Sequence, residues 1–308
     1  MKKMNKLVSI LLAMTMVFAL CACGGSSQPA ATEAPAESAA PAEEAVDYSS
    51  MSLEELKPLV KTITQGTLTV ATSPDFAPYE FYAIGEDGTP TLAGFDIALA
   101  GYIADKLGLE LEIVPMDFDG TIAELAAGKA DLGMAGYSPD PVRAEVMDFS
   151  KIYISGGQSF VCLQENKDKF ASLESLNDPS ITVGAQVGSI QAQLAHEFSP
   201  DADIVELSKV PDIIAEVLNG KLDGAYIETM VIDSYATQYP ELCTAVEVPY
   251  EAKGSVIGVV KGNAALLAAV DLALTECLES GEFDKFVLEA NQLAAGEVYE
   301  GLLEDSAA

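Results

Sequence analysis

Positive charge is scarce in this chain. Its 308 residues carry 16 lysines and arginines against 48 aspartates and glutamates, which gives a formal net charge of −32. A charge of this sign and size disfavours contact with the phosphates of nucleic acids and with anionic lipid headgroups, and it favours solubility. We therefore expect neither a nucleic acid nor an acidic lipid surface as a partner.

Residues that supply catalysis and metal ligation are also few. The single histidine, His196, lies in a segment that predicts an exposed helix face, and no role is assigned to it. The sequence contains neither the Cys/His spacing of a metal site nor a Ser/His/Asp arrangement, so no catalytic residue, metal or cofactor is predicted. Cys162, Cys243 and Cys277 have apolar neighbours, and their odd number predicts buried thiols rather than a disulfide framework.

Arginine occurs once, at Arg143, in the stretch GMAGYSPDPVRAEVMDFS. A guanidinium offers a planar fork that fits a carboxylate through two hydrogen bonds, whereas a lysine ammonium is a point charge. A single arginine in an acidic chain therefore indicates a specific anionic partner. The alternative is a salt bridge on a helix surface with Asp140 or Glu145.

No apolar run is long enough for a typical membrane-spanning helix. Three lysines among the first six residues precede an apolar run from Leu7 to Leu20. The run is too short for such a span, and with its basic flank it predicts a secretory signal over residues 1–22.

The end of this signal, LCACGGS, resembles a bacterial lipobox, in which a small residue precedes a cysteine that receives lipid. We expect Cys23 to be lipidated and to anchor an extracytoplasmic protein to a bacterial cell membrane. Cys21 stands where the motif usually has a small residue, and ordinary signal cleavage beside an incidental cysteine is the alternative.

The next stretch, residues 23–50, is rich in Ala, Pro, Ser and Glu. Such a composition has almost nothing to bury and predicts a disordered tether between the lipid and the folded body. The body begins near Met51 and is long enough for two lobes of ordinary domain size.

Strand-like and helix-like segments alternate through the body, which predicts an α/β fold. Strands are predicted for TLTVATS, LELEIVPM, ADLGMAG, ITVGAQ, DIVEL and GAYIE, and helices for GFDIALAGYIADKLG, TIAELAAG, IQAQLAHEF and DIIAEVLNG. The stretches IAELAAGKADLGMAG and IIAEVLNGKLDGAYI share one pattern: an amphipathic helix, a glycine cap, Lys-x-Asp and an apolar strand. We therefore expect two similar α/β halves.

Ligands of open α/β sheets bind at the carboxyl ends of the strands, so residues that follow the predicted strands are the candidates for binding. They comprise two aromatic faces, a hydroxyl with the single guanidinium, a helix start whose amides favour an anion, and one carboxylate. In that order they are Phe76 and Phe118, Ser138 with Arg143, Ser189 with Ile190, and Glu228.

An α-amino acid complements this set. Its carboxylate would meet Arg143, its ammonium would meet Glu228, and its side chain would lie between the aromatic rings. Each residue also has a purely structural alternative. The phenylalanines could fill the core, the serines could be turn and capping residues, and Glu228 could be a solvated strand end.

Several motifs, in order along the chain, resemble those of the family 3 extracellular solute-binding proteins, the polar amino-acid receptors of bacterial ABC importers. They are ATSPDFAPYEF, GFDIALAGYIADKLG, FDGTIAELAAGKADLGMAG, SPDPVRAEVMDFSKIY and VGAQVGS. The resemblance covers residues 66–290 and implies a two-lobed periplasmic-binding-protein-like fold of type II with two hinge strands. It implies lobe 1 over residues 51–157 and 254–308 and lobe 2 over 158–253, with crossings near YISGG and KGS.

The resemblance also implies a role for each matching residue. Ser138 and Arg143 match the positions that bind the ligand carboxylate, and Ser189 with the N–H of Ile190 matches those that close over it. Glu228 and the Gly136 carbonyl match the ammonium-binding positions. Phe76 and Phe118 match the aromatic residues that enclose the ligand's side chain. One departure is DPVR, where the family usually has Thr-Pro-Glu-Arg. Asp140 keeps the capacity to cap a helix but removes any ligand contact by a threonine hydroxyl.

The function that the resemblance implies is capture of a polar L-amino acid by a monomeric lipoprotein that delivers it to ABC permease subunits. Two alternatives stay open, an enzyme of the cyclohexadienyl dehydratase type on the same fold and a sensing lipoprotein without transport.

The ligand's side chain is less constrained by the sequence. Relatives that hold a cationic side chain often carry Asp at the position of Ser73, although Asp75, Glu80, Asp117 and Asp119 lie nearby. This pattern favours an uncharged or cationic side chain and disfavours glutamate and aspartate.

Overall fold

The protein is described by a computed structural model that covers residues 46–85, 87–252 and 254–296. The predicted signal peptide, Cys23, most of the predicted tether and the last twelve residues lie outside these ranges. Residues 46–50, which the sequence places in the tether, include a 3-10 turn at Tyr48–Ser50 that the Asp47 carboxylate caps. The Tyr48 ring packs against the core, so residues before Met51 contribute to the folded body.

Strands and helices alternate along much of the body. The strands are β1 (Thr67–Thr72), β2 (Asp75–Phe76), β3 (Glu80–Ile84), β4 (Pro90–Ala93), β5 (Glu110–Pro115), β6 (Leu132–Gly133), β7 (Met147–Phe149), β8 (Gln158–Leu163), β9 (Thr182–Gln186), β10 (Asp203–Leu207), β11 (Gly224–Glu228), β12 (Leu242–Val248) and β13 (Gly258–Val260). The helices are α1 (Leu53–Leu56), α2 (Phe95–Leu107), α3 (Phe118–Ala126), α4 (Ile190–Phe198), α5 (Val210–Leu218), α6 (Thr229–Gln238), α7 (Ala264–Glu279) and α8 (Glu282–Ala294).

Two five-stranded sheets share one arrangement. Their strand orders are β5-β1-β6-β13-β7 and β10-β9-β11-β8-β12, and β2-β3-β4 form a small antiparallel sheet. In each large sheet the first three strands are parallel and the last two are antiparallel to their neighbours. The predicted α/β fold of the two-lobed type is therefore confirmed.

The chain passes between the large sheets twice, after β7 and after β12. The two crossings pair with each other, because the Tyr153 N–H donates to the Ser255 carbonyl at 3.0 Å and the Ser255 N–H donates to the Ile154 carbonyl at 2.9 Å. Gly254 has φ 151°, and a Cβ there would lie 2.5 Å from the Ile154 carbonyl oxygen. Glycine therefore allows the two crossing strands to lie side by side.

The helix predicted from GFDIALAGYIADKLG forms as α2 because its apolar residues recur every four positions. Phe95, Leu99, Ile103 and Leu107 are all buried against the core. Gly108 ends the helix in the left-handed region with φ 69°, where a glycine costs least.

The two matching sequence stretches form the same structural unit, and the shared aspartate has the same role in each. Asp131 accepts a hydrogen bond from the N–H of Thr69 on β1 at 2.9 Å. Asp223 accepts one from the N–H of Thr182 on β9 at 3.0 Å. Each aspartate therefore joins its strand to the parallel neighbour, and the predicted repeat of two similar halves is confirmed.

No helix within the described ranges combines the length and the apolar character that crossing a membrane requires.

Candidate ligand-binding site

Arg143 is buried, and its guanidinium is held by carbonyl groups rather than by carboxylates. Its side chain donates to the Ser138 carbonyl at 3.2 Å and to the Gly188 carbonyl at 3.1 Å. The guanidinium also lies 5.3 Å from the centre of the Phe118 ring. Burial lowers the pKa of Arg143, although the group stays charged at neutral pH. A buried cation without a carboxylate partner among the described residues is suited to bind an anion.

The surface salt bridge considered for Arg143 does not form. Asp140 instead accepts backbone hydrogen bonds from Val142 at 2.9 Å and from Arg143 at 3.0 Å. Asp140 therefore accepts the N–H groups at the start of the turn that contains Arg143. It keeps the capping capacity expected where the family usually has threonine. The guanidinium itself pairs with no carboxylate of the described residues and reaches the Gly188 carbonyl, which follows β9 of the second sheet.

The N-terminus of α4 approaches Arg143 from the second sheet. Ser189 is its N-cap, and the hydroxyl accepts from the Ala192 N–H at 3.1 Å while it donates to the Gln186 carbonyl at 2.6 Å. The N–H of Ile190, at the first helical position, has no acceptor within the helix. The predicted helix start is confirmed, but the Ser189 hydroxyl already has two partners within the protein.

Glu228 ends β11 as predicted, and it also caps α6, which the sequence did not reveal. Its Oε2 accepts from the Val231 N–H at 3.0 Å, whereas Oε1 is buried with no hydrogen-bond partner in the described part of the chain. The side chain is only 4% exposed, so it is not a solvated strand end. Burial raises the pKa of Glu228 to about 7. A buried oxygen of this kind is suited to accept from a cation.

Tyr79 and Gly156 surround the unpartnered Glu228 oxygen. A Cβ at Gly156 would lie 2.6 Å from Glu228 Oε1 and 3.5 Å from the Tyr79 hydroxyl. The charge of Glu228 contributes to the raised pKa of Tyr79, after burial. Gly156 is therefore required for close approach to the carboxylate, in addition to its place in the crossing segment.

The two predicted aromatic faces have different surroundings. Phe76 packs against Tyr79, with ring centres 5.3 Å apart, and a Cβ at Gly136 would lie 2.8 Å from the Phe76 ring. Phe118 packs edge-on against Tyr137, with ring centres 5.7 Å apart. No ring contact joins Phe76 to Phe118 in the described ranges, so their pairing around a ligand stays a prediction.

These contacts gather the predicted residues into two groups. In one, Arg143 touches Ser138, Phe118 and the residue before the α4 cap. In the other, Glu228 lies beside Tyr79, which packs on Phe76 and thereby on Gly136. The predicted cation and the predicted anion therefore lie in separate groups, each beside aromatic rings.

Asp75, on β2 of the small sheet, connects that sheet to β9 of the second large sheet and to the start of α5. Its Oδ2 accepts from the Gln186 side chain and from the Val210 N–H, both at 2.9 Å, and its Oδ1 accepts from the Ser73 hydroxyl at 2.9 Å. Burial raises its pKa to about 6. Its oxygens are thus engaged within the protein, which makes Asp75 a connector rather than a free partner for a cationic side chain.

A pair of buried acids supports the group that contains Gly136. Asp96 accepts from the Tyr153 hydroxyl at 2.7 Å and from the Gly136 N–H at 3.2 Å. Glu80 is fully buried, and burial followed by the charge of Asp96 raises its pKa far above the usual range. Neither Glu80 oxygen has a hydrogen-bond partner among the described residues, and the raised pKa favours the neutral carboxyl beside Asp96.

Sequence reasoning did not identify several residues of this region as functional. Tyr79, Asp96 and Gln186 all contact residues far away in sequence. Asp96 bonds Gly136, 40 positions away, Gln186 bonds Asp75, 111 positions away, and Tyr79 bonds Ser255, 176 positions away. Tyr250 is another: its hydroxyl donates to the Pro139 carbonyl at 3.2 Å, next to Ser138. An aromatic residue after β12 carries no sequence signal for this contact.

Comparison with known proteins adds three findings. The family model described as bacterial extracellular solute-binding proteins, family 3, matches residues 68–289. The arginine-binding extracellular protein ArtP of Bacillus subtilis is 32% identical over 223 residues, which are 71% of this chain and 83% of that protein. The cyclohexadienyl dehydratase of Pseudomonas aeruginosa is 27% identical over 195 residues, which are 63% of this chain and 71% of that protein.

A solved structure agrees with these similarities. It is the amino acid ABC transporter substrate-binding protein AbpA of Streptococcus pneumoniae bound to L-arginine, with a TM-score of 0.72 and 31% sequence identity. The match covers 79% of this chain and 100% of that one. The family model, the identity to ArtP and the shared fold lead to one conclusion: this chain belongs to the bacterial extracellular solute-binding proteins of family 3.

Proposed function

We propose that this protein binds an L-amino acid between its two large sheets. The observation that carries the proposal is a pair of buried opposite charges, each short of a partner among the described residues. The Arg143 guanidinium has only carbonyl acceptors, and Glu228 Oε1 has no donor. A ligand carboxylate would complete the first group, together with the Ile190 N–H, and a ligand ammonium would complete the second.

The side chain of the ligand is polar and uncharged or cationic, with arginine as the first candidate. The region holds no described cation besides Arg143, and Asp117 and Asp119 flank Phe118, which the resemblance assigns to the contact with the ligand's side chain. A second carboxylate on the ligand would meet these acids. ArtP is named as an arginine-binding protein, and AbpA was solved with L-arginine, which supports the same choice.

Binding would be coupled to closure of two lobes. Lobe 1 would comprise residues 51–157 and 254–308, and lobe 2 would comprise residues 158–253. Arg143 precedes the first crossing and Glu228 lies between the two crossings, so a ligand that contacts both would stabilise the closed form. Scattering should show compaction when the bound amino acid is added to saturation.

The captured amino acid would be delivered to the permease of an ABC importer by a protein held at the membrane through lipid on Cys23. Two acyl chains give stable attachment where one is marginal. Cys23→Ala should then release the protein from the membrane fraction, and a variant that stays membrane-bound would contradict the lipid anchor. Ligand uptake by cells that carry the variant would test delivery.

An enzymatic function is the second candidate, because one observation favours it. Burial raises the pKa of Glu228 to about 7, a value at which a carboxyl can act as a proton donor. A dehydratase is also among the relatives. The counter-argument is that a ligand ammonium at Oε1 would favour the ionised carboxylate and lower that pKa.

A thermal-shift screen of the twenty amino acids tests the proposal, with prephenate and arogenate as additional compounds. We expect a rise in melting temperature with arginine or another polar amino acid, and the Arg143→Ala variant as control should show no rise. Turnover of prephenate or arogenate would instead establish the enzyme. Tight binding of glutamate would contradict the expected side-chain preference.

A further inference from the structure

Two cysteines face each other across neighbouring strands of the second sheet. Cys162 on β8 is the register partner of Cys243 on β12, in antiparallel pairing. Because directly opposite residues project to the same face of a sheet, both side chains point to one side. Both are buried in the same apolar cluster, with Phe160 and Phe170 among its members. The two thiols are therefore neighbours inside the protein.

The pairing geometry suits a covalent bond. The Gln164 N–H donates to the Glu241 carbonyl at 2.7 Å, which places Gln164 opposite Glu241 in the hydrogen-bonded phase of the ladder. Cys162 and Cys243 lie two positions further along, in the same phase. Cα atoms of such pairs are about 5.5 Å apart, within the roughly 4.4–6.8 Å that disulfides span. Their Cβ atoms lie toward the wide end of about 4.5–5.5 Å and must approach to about 3.5–4.5 Å for the bond to form.

The surroundings allow the small adjustment that bond formation needs. β12 is an edge strand of its sheet, and its register shifts between Thr244 and Val246, directly after Cys243. An edge strand beside an irregularity can move more easily than a central one. Burial raises the pKa of the Cys162 thiol, and the charge of the Cys243 thiol adds to that rise. The Cys162 thiol donates to the Leu163 carbonyl at 3.3 Å, and both cysteines are free in this structure.

We propose that Cys162 and Cys243 form a cross-strand disulfide when the protein folds in an oxidising compartment. The family is extracellular, and extracytoplasmic compartments sustain disulfides. The oxidant is a disulfide of a small molecule or of an oxidoreductase. One cysteine thiolate attacks it to form a mixed disulfide and releases one thiol; the second cysteine thiolate then attacks the mixed disulfide and releases the other thiol. Two protein thiols are oxidised, and one external disulfide is reduced.

Such a bond would join the two strands that connect lobe 2 to the crossings. β8 begins just after the first crossing, and β12 ends just before the second. The bond closes a loop of about eighty residues, which restricts the unfolded chain. Since burial disfavours the thiolate, the reaction should be slow in the folded protein and fast during folding.

The experiment maps the bond in the full-length chain refolded with oxidised glutathione. Free thiols are alkylated in denaturant, and the protein is digested with trypsin. The lysines and Arg143 place Cys162, Cys243 and Cys277 in separate peptides, 152–167, 222–253 and 262–285, none of which contains Cys21 or Cys23. We expect a linked pair of peptides 152–167 and 222–253 that separates on reduction, with Cys277 alkylated.

Melting temperature gives a second measurement. Oxidation should raise the melting temperature of the wild type by roughly 10 °C, from the constraint on the unfolded chain. The rise should persist in Cys277→Ala and vanish in Cys243→Ala. The proposal is overturned if, after oxidative refolding, Cys162 and Cys243 are alkylated as fully as Cys277, or if they carry only glutathione. Because the peptide map uses the wild type, this outcome is decisive even if a variant fails to fold.

Discussion

The two repeated units of this protein have the same scaffold and opposite chemistry. In each, a helix is followed by a glycine with positive φ, Gly128 or Gly220, and a Lys-x-Asp motif leads into a strand that pairs in parallel with β1 or β9. The difference lies at the strand tip. β6 leads into the segment of the cation Arg143, whereas β11 ends at the anion Glu228.

This difference separates residues that build the units from residues that bind. The two aspartates of the repeat accept backbone hydrogen bonds that hold neighbouring segments together, and Asp223 also forms a salt bridge with Lys169 at 3.0 Å. The two charged residues at the tips are buried, and each lacks a partner of opposite charge among the described residues. Substitution at the tips should therefore change affinity, and substitution in the scaffold should change stability.

The largest effect is expected at Arg143. Loss of one member of a buried charge pair costs about 2–5 kcal/mol, so Arg143→Ala should weaken ligand binding by roughly 30-fold or more. Arg143→Lys keeps the charge but loses the planar fork, and it should also bind clearly worse. Isothermal titration with the amino acid found in the screen measures both.

Melting temperature of the same two variants is the control. A structural salt bridge would predict nearly normal affinity and a stability loss of only about 0–1 kcal/mol. If both variants bind the ligand as the wild type does, Arg143 does not hold the ligand carboxylate.

The next effect is expected at Glu228. Glu228→Gln keeps the shape and the capacity to cap α6 through its amide oxygen, but it removes the negative charge that would meet the ligand ammonium. A hydrogen bond to a charged group contributes about 1.5–3 kcal/mol, so affinity should fall by roughly 10- to 150-fold. Isothermal titration of this variant alongside Arg143→Ala shows whether Glu228 and Arg143 both contribute to ligand affinity. Unchanged affinity would remove Glu228 from the binding site.

In the scaffold, Asp131→Ala should reduce stability rather than affinity. It leaves the N–H groups of Ile63 and Thr69 without their side-chain acceptor, and an unsatisfied buried donor costs about 1–3 kcal/mol. Asp223→Ala should act in the same direction through the Thr182 N–H. Denaturant unfolding measures the loss. A large change in ligand affinity with normal stability would contradict the division between scaffold and tip.

Much of this division was predictable from the sequence. The recurrence of helix, glycine, Lys-x-Asp and strand identified both units, because local periodicity determines the type of such elements. The strand-tip rule then selected Arg143 and Glu228 without knowledge of their contacts. The depth of their burial was not predictable, since it depends on residues such as Tyr79 and Gly156 that approach from other parts of the chain.

Other features escaped prediction for the same physical reason. The antiparallel strands β8, β12 and β13 take their place in the sheets through pairing with distant segments, which their own composition does not specify. Asp75 illustrates the limit at the level of a single residue. Its sequence position suggested a partner for a cationic ligand, but Gln186 on β9 and the Val210 N–H at the start of α5 already donate to it.

A change in pH should change the charge of Glu228 but not that of Arg143. Glu228 has a pKa raised to about 7 by burial, whereas Arg143 stays charged throughout the accessible range. If the ligand binds only the ionised carboxylate, affinity should fall by about tenfold from pH 8 to pH 6. Glu228→Gln should remove most of this dependence. A pH-independent affinity in the wild type would show that Glu228 is already ionised or does not contact the ligand.

The same pKa shift has a consequence for stability without ligand. The unfolded carboxyl titrates near its ordinary value, so between that value and about 7 the folded protein binds more protons. Stability contributed by Glu228 is therefore present at low pH and is lost as the pH rises through 7. Asp75 and Asp96, with pKa values raised to about 6, act in the same direction. Melting curves from pH 5 to pH 8 should show the decline, and added ligand should reduce it.

The smallest effect is expected from the lysines of the repeated motif. Lys129 forms a salt bridge to Glu124 at 3.5 Å and Lys221 forms one to Glu216 at 2.7 Å, and both lysine side chains are about two-thirds exposed. Exposed pairs of this kind contribute about 0–1 kcal/mol because water and salt screen the charges. Lys129→Met and Lys221→Met should therefore change the free energy of unfolding by less than Asp131→Ala, and the change should shrink further in high salt. If a lysine variant loses as much free energy of unfolding as Asp131→Ala, the repeated unit is stabilised by surface charge rather than by the backbone hydrogen bonds that Asp131 and Asp223 accept.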